Sequence, residues 1–406
     1  MTDSPPHPDP SSPGPLSIWR GRLADLRDRA ELIALLVLLA GFTFLSTAMH
    51  RWIFYALGIV VLLRLAALRR SVDLLRTRPL FLACIAFIAY GLLSVLWSPV
   101  LEPKEVGEAG LAAVTLLVLL AMGAQVAKAE AEAPFGIEGV LVLFALICGA
   151  ACAGYLLYHH VTFEDPTLDY WRVGGFGQVK NPILLAFVAS AALVAALALR
   201  GELRRLAGWA APPLLIALLL ATVIATESRG PLVALFGSVG LLLLLERRWR
   251  TLAVLAAALI LLAAAIAAGA LDEVYRIGSA DNMRFAIWEA ALERIAARPW
   301  FGYGALYEPD LAGFRATHSL YLGALLYGGV VGALLLAAVV ALTLLVGLRA
   351  AQDPAARALT AIFALGLVGG LFEFHALFKE LDPEWLLFWI PLALLLGREA
   401  VQHHRS

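Results

Sequence analysis

Long apolar runs, broken by short connections that carry arginine, dominate the chain from Glu31 to Val401. A bilayer core about 30 Å thick takes roughly 20 apolar residues at 1.5 Å each, and by that measure the runs predict about 12 transmembrane helices. They lie near Glu31–Thr47, Trp52–Leu68, Leu80–Trp97, Gly107–Val126, Ile137–Tyr158 and Pro182–Leu199, then near Leu206–Thr226, Pro231–Leu245, Thr251–Ala270, Ser319–Leu348, Ala355–Ala376 and Pro383–Val401. One connection differs from the rest. From about residue 271 to 318 the pattern turns polar, and inside it Asn282–Ala297 repeats apolar residues at helical spacing. The expected fold is all-α and polytopic, with one large loop that holds an amphipathic helix.

Composition supports this reading. Of 406 residues 61% are hydrophobic and only 15% charged, against about 25% charged in soluble domains. Net charge is zero, so bulk charge points to no nucleic-acid partner. The placement of the cations says more. Arginines crowd the N-terminal segment and every second connection after it, including Arg69, Arg70, Arg200, Arg204, Arg205, Arg247 and Arg248. By the positive-inside rule both termini are cytoplasmic and the long loop faces outward. Residues 1–30 then form a cytoplasmic tail, rich in Pro and Ser at its start and expected to be disordered. Residues 31–401 form the membrane domain, and 402–406 a short cytoplasmic end. The start lacks a secretory signal's basic run and cleavage site. Cys84, Cys148 and Cys152 sit in apolar runs, and no Cys/His spacing suggests a metal.

Three outward groups stand out, two arginines and one histidine. Arg229 lies in Glu227-Ser-Arg-Gly-Pro231, between two arginine clusters of the same side, so the chain crosses twice around it. The returning arm is short for a bilayer, which places Arg229 below the outer surface. Pro231 suits a first helical turn, and the positive end of a helix favours an anion; the alternative is a snorkelling arginine paired with Glu227. On a wheel of Asn282–Ala297, Arg284 falls on the face of Trp288, Leu292 and Ile295, opposite Glu289 and Glu293. That points it inward, at an anion or at a carboxylate elsewhere. His318 opens the tenth span, where an imidazole with an ordinary pKa near 6.5 can exchange a proton or serve as a cap.

Lesser candidates surround them. Lys180 and Asn181 start a span and offer a phosphate contact or a snorkelling cation. Tyr303, Trp288, Tyr170, Trp171, Trp300 and Tyr307 can stack on sugars or belong to the interfacial aromatic belt. Gly302 and Gly304 read as tight backbone turns. Neither an Asp-x-Asp pair nor a nucleotide loop accompanies these groups. Fixed cations without a metal or cofactor suit a membrane-embedded diphosphate as leaving group.

On these residues the chain resembles the O-antigen ligase and polymerase superfamily of bacterial envelope glycosyltransferases. The similarity lies in Ser228-Arg-Gly230, Arg284-x-x-x-Trp288, Pro299-Trp-Phe-Gly-Tyr-Gly304, His318 and Gly328-Gly-Val-Val-Gly332, in that order. Ser319 stands where the family usually has Asn. The resemblance implies a GT-C-type fold without metal or cofactor, at the outer face of the bacterial inner membrane. It implies inverting transfer of O-antigen from undecaprenyl diphosphate to a sugar of lipid A–core. Arg229 and Arg284 would hold the diphosphate and His318 would orient or deprotonate the acceptor hydroxyl. Two alternatives remain open at this point. A polymerase would use the same donor with another acceptor, and a lipid-linked glycan flippase would use the arginines only for binding.

Overall fold

The computed structural model describes residues 15–99, 102–130, 136–162, 172–267, 281–374 and 376–405. Among these residues the chain is built of α-helices, in order α1 (Pro15–Phe44), α2 (Thr47–Leu63), α3 (Leu65–Leu75), α4 (Pro79–Ser94), α5 (Pro103–Glu130), α6 (Ile137–Thr162), α7 (Pro182–Ala198) and α8 (Arg200–Ala207). Then come α9 (Ala211–Ala225), α10 (Arg229–Leu245), α11 (Trp249–Ala267), α12 (Asp281–Ala297), α13 (Leu320–Arg349), α14 (Pro354–Gly369), α15 (Glu384–Leu387) and α16 (Trp389–Arg405). Among the described residues four helical segments are long and apolar enough to cross a bilayer alone, and six if each of two bent pairs counts as one span. Shorter apolar helices, among them Ala211–Ala225, Arg229–Leu245 and Pro354–Gly369, accompany them. This is an integral membrane protein. Tyr170, Trp171, His375 and the start of the polar loop (268–280) lie outside the described residues.

The core is a bundle of small-residue helices. α7 is buried along nearly its whole length, packed against α6, α9, α10 and α14, and its run of alanines lets those neighbours approach closely. α5 and α16 meet the same way: a Cβ on Gly123 would stand 2.3 Å from the Ala393 carbonyl oxygen. The outer helices instead expose leucine and isoleucine, as at Leu63, Leu82, Leu93, Leu96, Ile260 and Leu261. In lipid such a surface is solvated, and the helical backbone keeps its polar groups satisfied.

Sharp bends or breaks mark several of the expected spans. The run Trp52–Leu68 breaks at Arg64, where α2 turns by 89° into α3. Arg64 pairs there with Glu31 of α1, so its charge is met within the bundle. Pro182–Leu199 ends in a turn of 86° into α8, whose polar face carries Arg204 and Arg205. A further break lies inside α13, at Gly329, with φ 60° and ψ −163°.

Helix lengths explain the last break. α13 and α14 are joined by a short turn at one end, and at the other the Leu320 N–H donates to the Gly370 carbonyl at 2.7 Å. Yet α13 has 30 residues and α14 has 16, or roughly 45 Å and 24 Å of helix. Both ends can meet only if α13 leans and breaks. The loop after α12 repairs the break. Tyr303 N–H donates to Leu326 O and Gly304 N–H to Tyr327 O, both at 2.9 Å, while Val330 N–H donates to Pro299 O at 2.8 Å and Val331 N–H to Trp300 O at 3.2 Å. The Tyr90 hydroxyl donates to Gly328 O at 2.6 Å. Such stitching needs backbone on backbone: a Cβ on Gly329 would stand 2.4 Å from the Trp300 carbonyl carbon, and one on Gly302 2.6 Å from that of Tyr327. Gly302 and Gly304 also hold positive φ, 65° and 89°.

Gly329→Ala should therefore both strain the left-handed residue and push the loop off α13. A loss of about 1–3 kcal/mol or more is expected, visible as a lower unfolding temperature in detergent. An unchanged midpoint would mean that the stitch is dispensable.

Candidate active site

α12 starts the site. Its inner face packs Ile287 and Ala291 against Leu311 and Leu326, which fixes the helix beside α13 and turns Arg284 toward the segment after α14. There the Arg284 Nη1 donates to Phe372 O and Nη2 to the Glu373 carboxylate Oε1, both at 2.5 Å. The other oxygen of Glu373 stands 3.5 Å from Nδ1 of His318. One carboxylate thus lies between the inward arginine and the histidine. Glu373 is largely shielded and the two partners about one-third exposed, so both partners keep open faces. Arg284 has five N–H donors and uses two here.

The histidine is held by its neighbours' backbone. Trp288, one turn along from Arg284, donates its indole N–H to Thr317 O at 3.1 Å. The Thr317 hydroxyl donates to Ser319 O at 2.7 Å, and the Ser319 side chain accepts from Leu322 N–H as the cap of α13. His318 itself sits at φ +46°, and Phe374, next to Glu373, at φ +61°. Left-handed conformations at non-glycine residues carry strain, and such strain gathers at working sites.

Arg229 opens α10 on the adjoining side. Ser228 is the N-cap of that helix but its side chain caps nothing; Pro231 in the first turn has no N–H to be capped. Glu227 turns the chain at φ +50°, and the Arg229 side chain is exposed. The helix starts beside the Arg284 anchor, since a Cβ on Gly230 would touch that of Phe372 at 3.4 Å. The structure thereby brings Arg229, Arg284 and His318, expected from sequence, to one place.

The lesser candidates divide. Asn181 is the N-cap of α7, its Oδ1 accepting from Ile183 N–H at 2.9 Å. Lys180 is exposed, in a turn where the Gly175 N–H donates to Val179 O at 2.8 Å, which sets it alongside residues 172–174. Tyr303 packs inside the loop: it stacks on Tyr307 with ring centres 4.3 Å apart and carries the Arg298 guanidinium at 4.8 Å. Trp288 bonds the Thr317 carbonyl next to His318. Two residues escaped sequence reasoning as site members, Glu373 and Arg172. Glu373 sits in Leu371-Phe-Glu-Phe374, a lone carboxylate among apolar neighbours, and that was its signal. Below His318 an apolar groove of about 550 Å³, mouth included, runs between α4 and α13, lined among others by Phe87, Leu320, Gly323, Leu336 and Phe378.

A family model described as O-antigen ligase matches residues 214–337, the stretch that runs from α9 through Arg229, Arg284 and His318 into α13. The O-antigen ligase of Pseudomonas aeruginosa is 30% identical over 394 residues, covering 92% of this chain and 94% of that protein.

Glu373→Gln keeps the shape and removes the charge that holds Arg284 and His318 together. Transfer by this variant should fall at least about tenfold, the loss expected for a charge-assisted bond. Trp288→Phe, which removes only the indole N–H, should fall less, by a few-fold. Initial rates of glycan transfer measure both; a Gln variant at full rate would mean that the carboxylate is passive.

Proposed function

We infer the reaction from one premise: the chain belongs to the O-antigen ligase family. It is an enzyme of glycosyltransferase type that acts in lipopolysaccharide synthesis. The donor is proposed to be O-antigen on undecaprenyl diphosphate and the acceptor a sugar hydroxyl of lipid A–core. The observation that carries the mechanism is the Glu373 carboxylate set between Arg284 and His318 beside the start of α10.

In this reading the diphosphate lies between Arg229 and Arg284. The unused N–H groups of Arg284 and the positive end of α10 face the charge that grows on the leaving oxygen. Glu373 accepts toward Nδ1 of His318, which leaves Nε2 as the base. The acceptor hydroxyl gives its proton to Nε2 as its oxygen attacks the anomeric carbon from the side opposite the diphosphate. The bond from that carbon to the phosphate oxygen breaks, undecaprenyl diphosphate departs with the electron pair, and the anomeric configuration inverts. The groove between α4 and α13 suits the prenyl chain, which needs apolar walls and no hydrogen bonds. The chemistry calls for neither metal nor cofactor.

Placement in the membrane follows the same reading. α10 has 17 residues and α14 has 16, roughly 25 Å each against a core of about 30 Å. With Arg200–Arg205 and Arg247–Arg250 cytoplasmic, the far ends of these helices open on the periplasmic face, a few Å below its surface. A lipid-borne diphosphate sits at that depth. Both termini are then cytoplasmic, the short helices complete a set of about 12 spans, and residues 31–401 form the catalytic membrane domain of GT-C type.

Purified, reconstituted protein tests the roles. Arg229→Ala and Arg284→Ala should abolish transfer in folded, membrane-inserted protein, with donor affinity reduced. His318→Ala should lower turnover by about 100-fold or more with donor KM little changed; a pure binding defect would exclude the base role. A chelator should leave the rate unchanged, and loss of activity would reveal a metal.

A further inference from the structure

The turn that carries Arg229 is held from outside its own hairpin. Arg172, in the segment leading to α7, donates from Nε to the Thr226 carbonyl at 2.9 Å and from Nη2 to the Ser228 hydroxyl at 3.0 Å. The Ser228 hydroxyl donates in turn to Thr226 O at 3.1 Å. The three groups close a ring around Glu227, the residue at φ +50°. Thr226 and Ser228 are buried, so water does not compete freely for these bonds. Ser228 is an N-cap residue whose side chain makes no cap bond, and the ring is where that side chain goes. A serine at this position normally accepts from a helical N–H two or three residues on. Here Arg172 takes that capacity.

We infer that Arg172 is a positioning residue for the transfer reaction: it locks the Thr226–Ser228 turn so that Arg229 and the first turn of α10 present themselves to the donor diphosphate. A guanidinium suits this task, because its planar fork reaches two oxygens at once and stays charged at every working pH. The inference rests on the reading of Arg229 as a diphosphate ligand. It adds that the outer segment before α7 belongs to the donor site, although no residue of it lies near Arg229 in sequence. The segment keeps its place without the side chain, since Val173 N–H donates to Ala225 O at 3.0 Å and Gly175 N–H to Val179 O at 2.8 Å. Arg172 variants should therefore fold.

The test uses the full chain reconstituted in vesicles, with lipid-linked glycan as donor and inorganic pyrophosphate as competing probe. Arg172→Met should raise donor KM and pyrophosphate Ki by at least about tenfold, leaving acceptor KM and the unfolding midpoint close to wild type. Arg172→Lys, which keeps the charge but cannot span both acceptors, should also show most of the loss. Full rescue by lysine would overturn positioning in favour of charge alone. In the Arg229→Gln background, Arg172→Met should add little, because both changes act on one contact; full additivity would also overturn the inference. If Arg229→Gln itself leaves donor affinity intact, the diphosphate reading fails. If it loses affinity and Arg172→Met does not, only the inference about Arg172 fails. Should the methionine variant prove unfolded, the lysine variant and its cycle with Arg229→Gln decide.

Discussion

Backbone groups at membrane depth must find partners within the protein, and in this chain that demand organises the candidate active site. α13 is interrupted at Gly329, which strands carbonyls on one side and N–H groups on the other. The loop from Pro299 to Gly304 supplies the partners. A loop held by four main-chain bonds is fixed more firmly than one held by side chains, and what it fixes is the approach of α12 and the start of α13. Arg284 and Trp288 sit on the first and His318 precedes the second, so the placement of these candidate residues descends from the repair of one broken helix. The Gly-rich run in the loop and the glycine pair in α13 are two sides of the same contact.

Electrostatics then couples what the backbone has placed. An arginine turned toward the protein interior costs free energy unless a carboxylate meets it. Glu373 meets Arg284 and leaves one oxygen for His318, so the charge that settles the arginine also orients the imidazole. The arrangement follows the general logic of a base oriented by an acid, with a cation added on the far side. Without a donor the site holds two arginines, a histidine and one carboxylate, a cationic surplus suited to a diphosphate.

Arg229 and Arg172 show the same division of labour at the other wall. One faces outward at the start of α10, while the other bonds the turn beneath it. Neither lies in the long polar loop that dominates the hydropathy pattern. The proposed donor site therefore draws on segments far apart in the chain, and the loop alone would not make it.

Much of the design was legible in the chain. Hydrophobic run lengths established an all-α membrane protein, because the bilayer imposes a length and a composition on anything that crosses it. Helical periodicity turned Arg284 inward and marked α12 to within a residue, since amphipathicity is a local property. The family motifs brought Arg229 and His318 forward. What periodicity cannot express is contact between distant segments. The breaks at Arg64 and Gly329 depended on Glu31 and on the loop at Pro299, each far along the chain, and so the runs containing them looked continuous. Tyr303 read as either a sugar platform or a member of the aromatic belt and Asn181 as a candidate substrate contact; only the tertiary structure shows the stack of Tyr303 on Tyr307 and the cap that Asn181 gives α7. Glu373 and Arg172 acquired roles only through partners 89 and 56 residues away. Sequence determined which residues could carry charge in lipid, and tertiary structure decided which of them meet, because pairing energy depends on distance in space and the chain order does not record it.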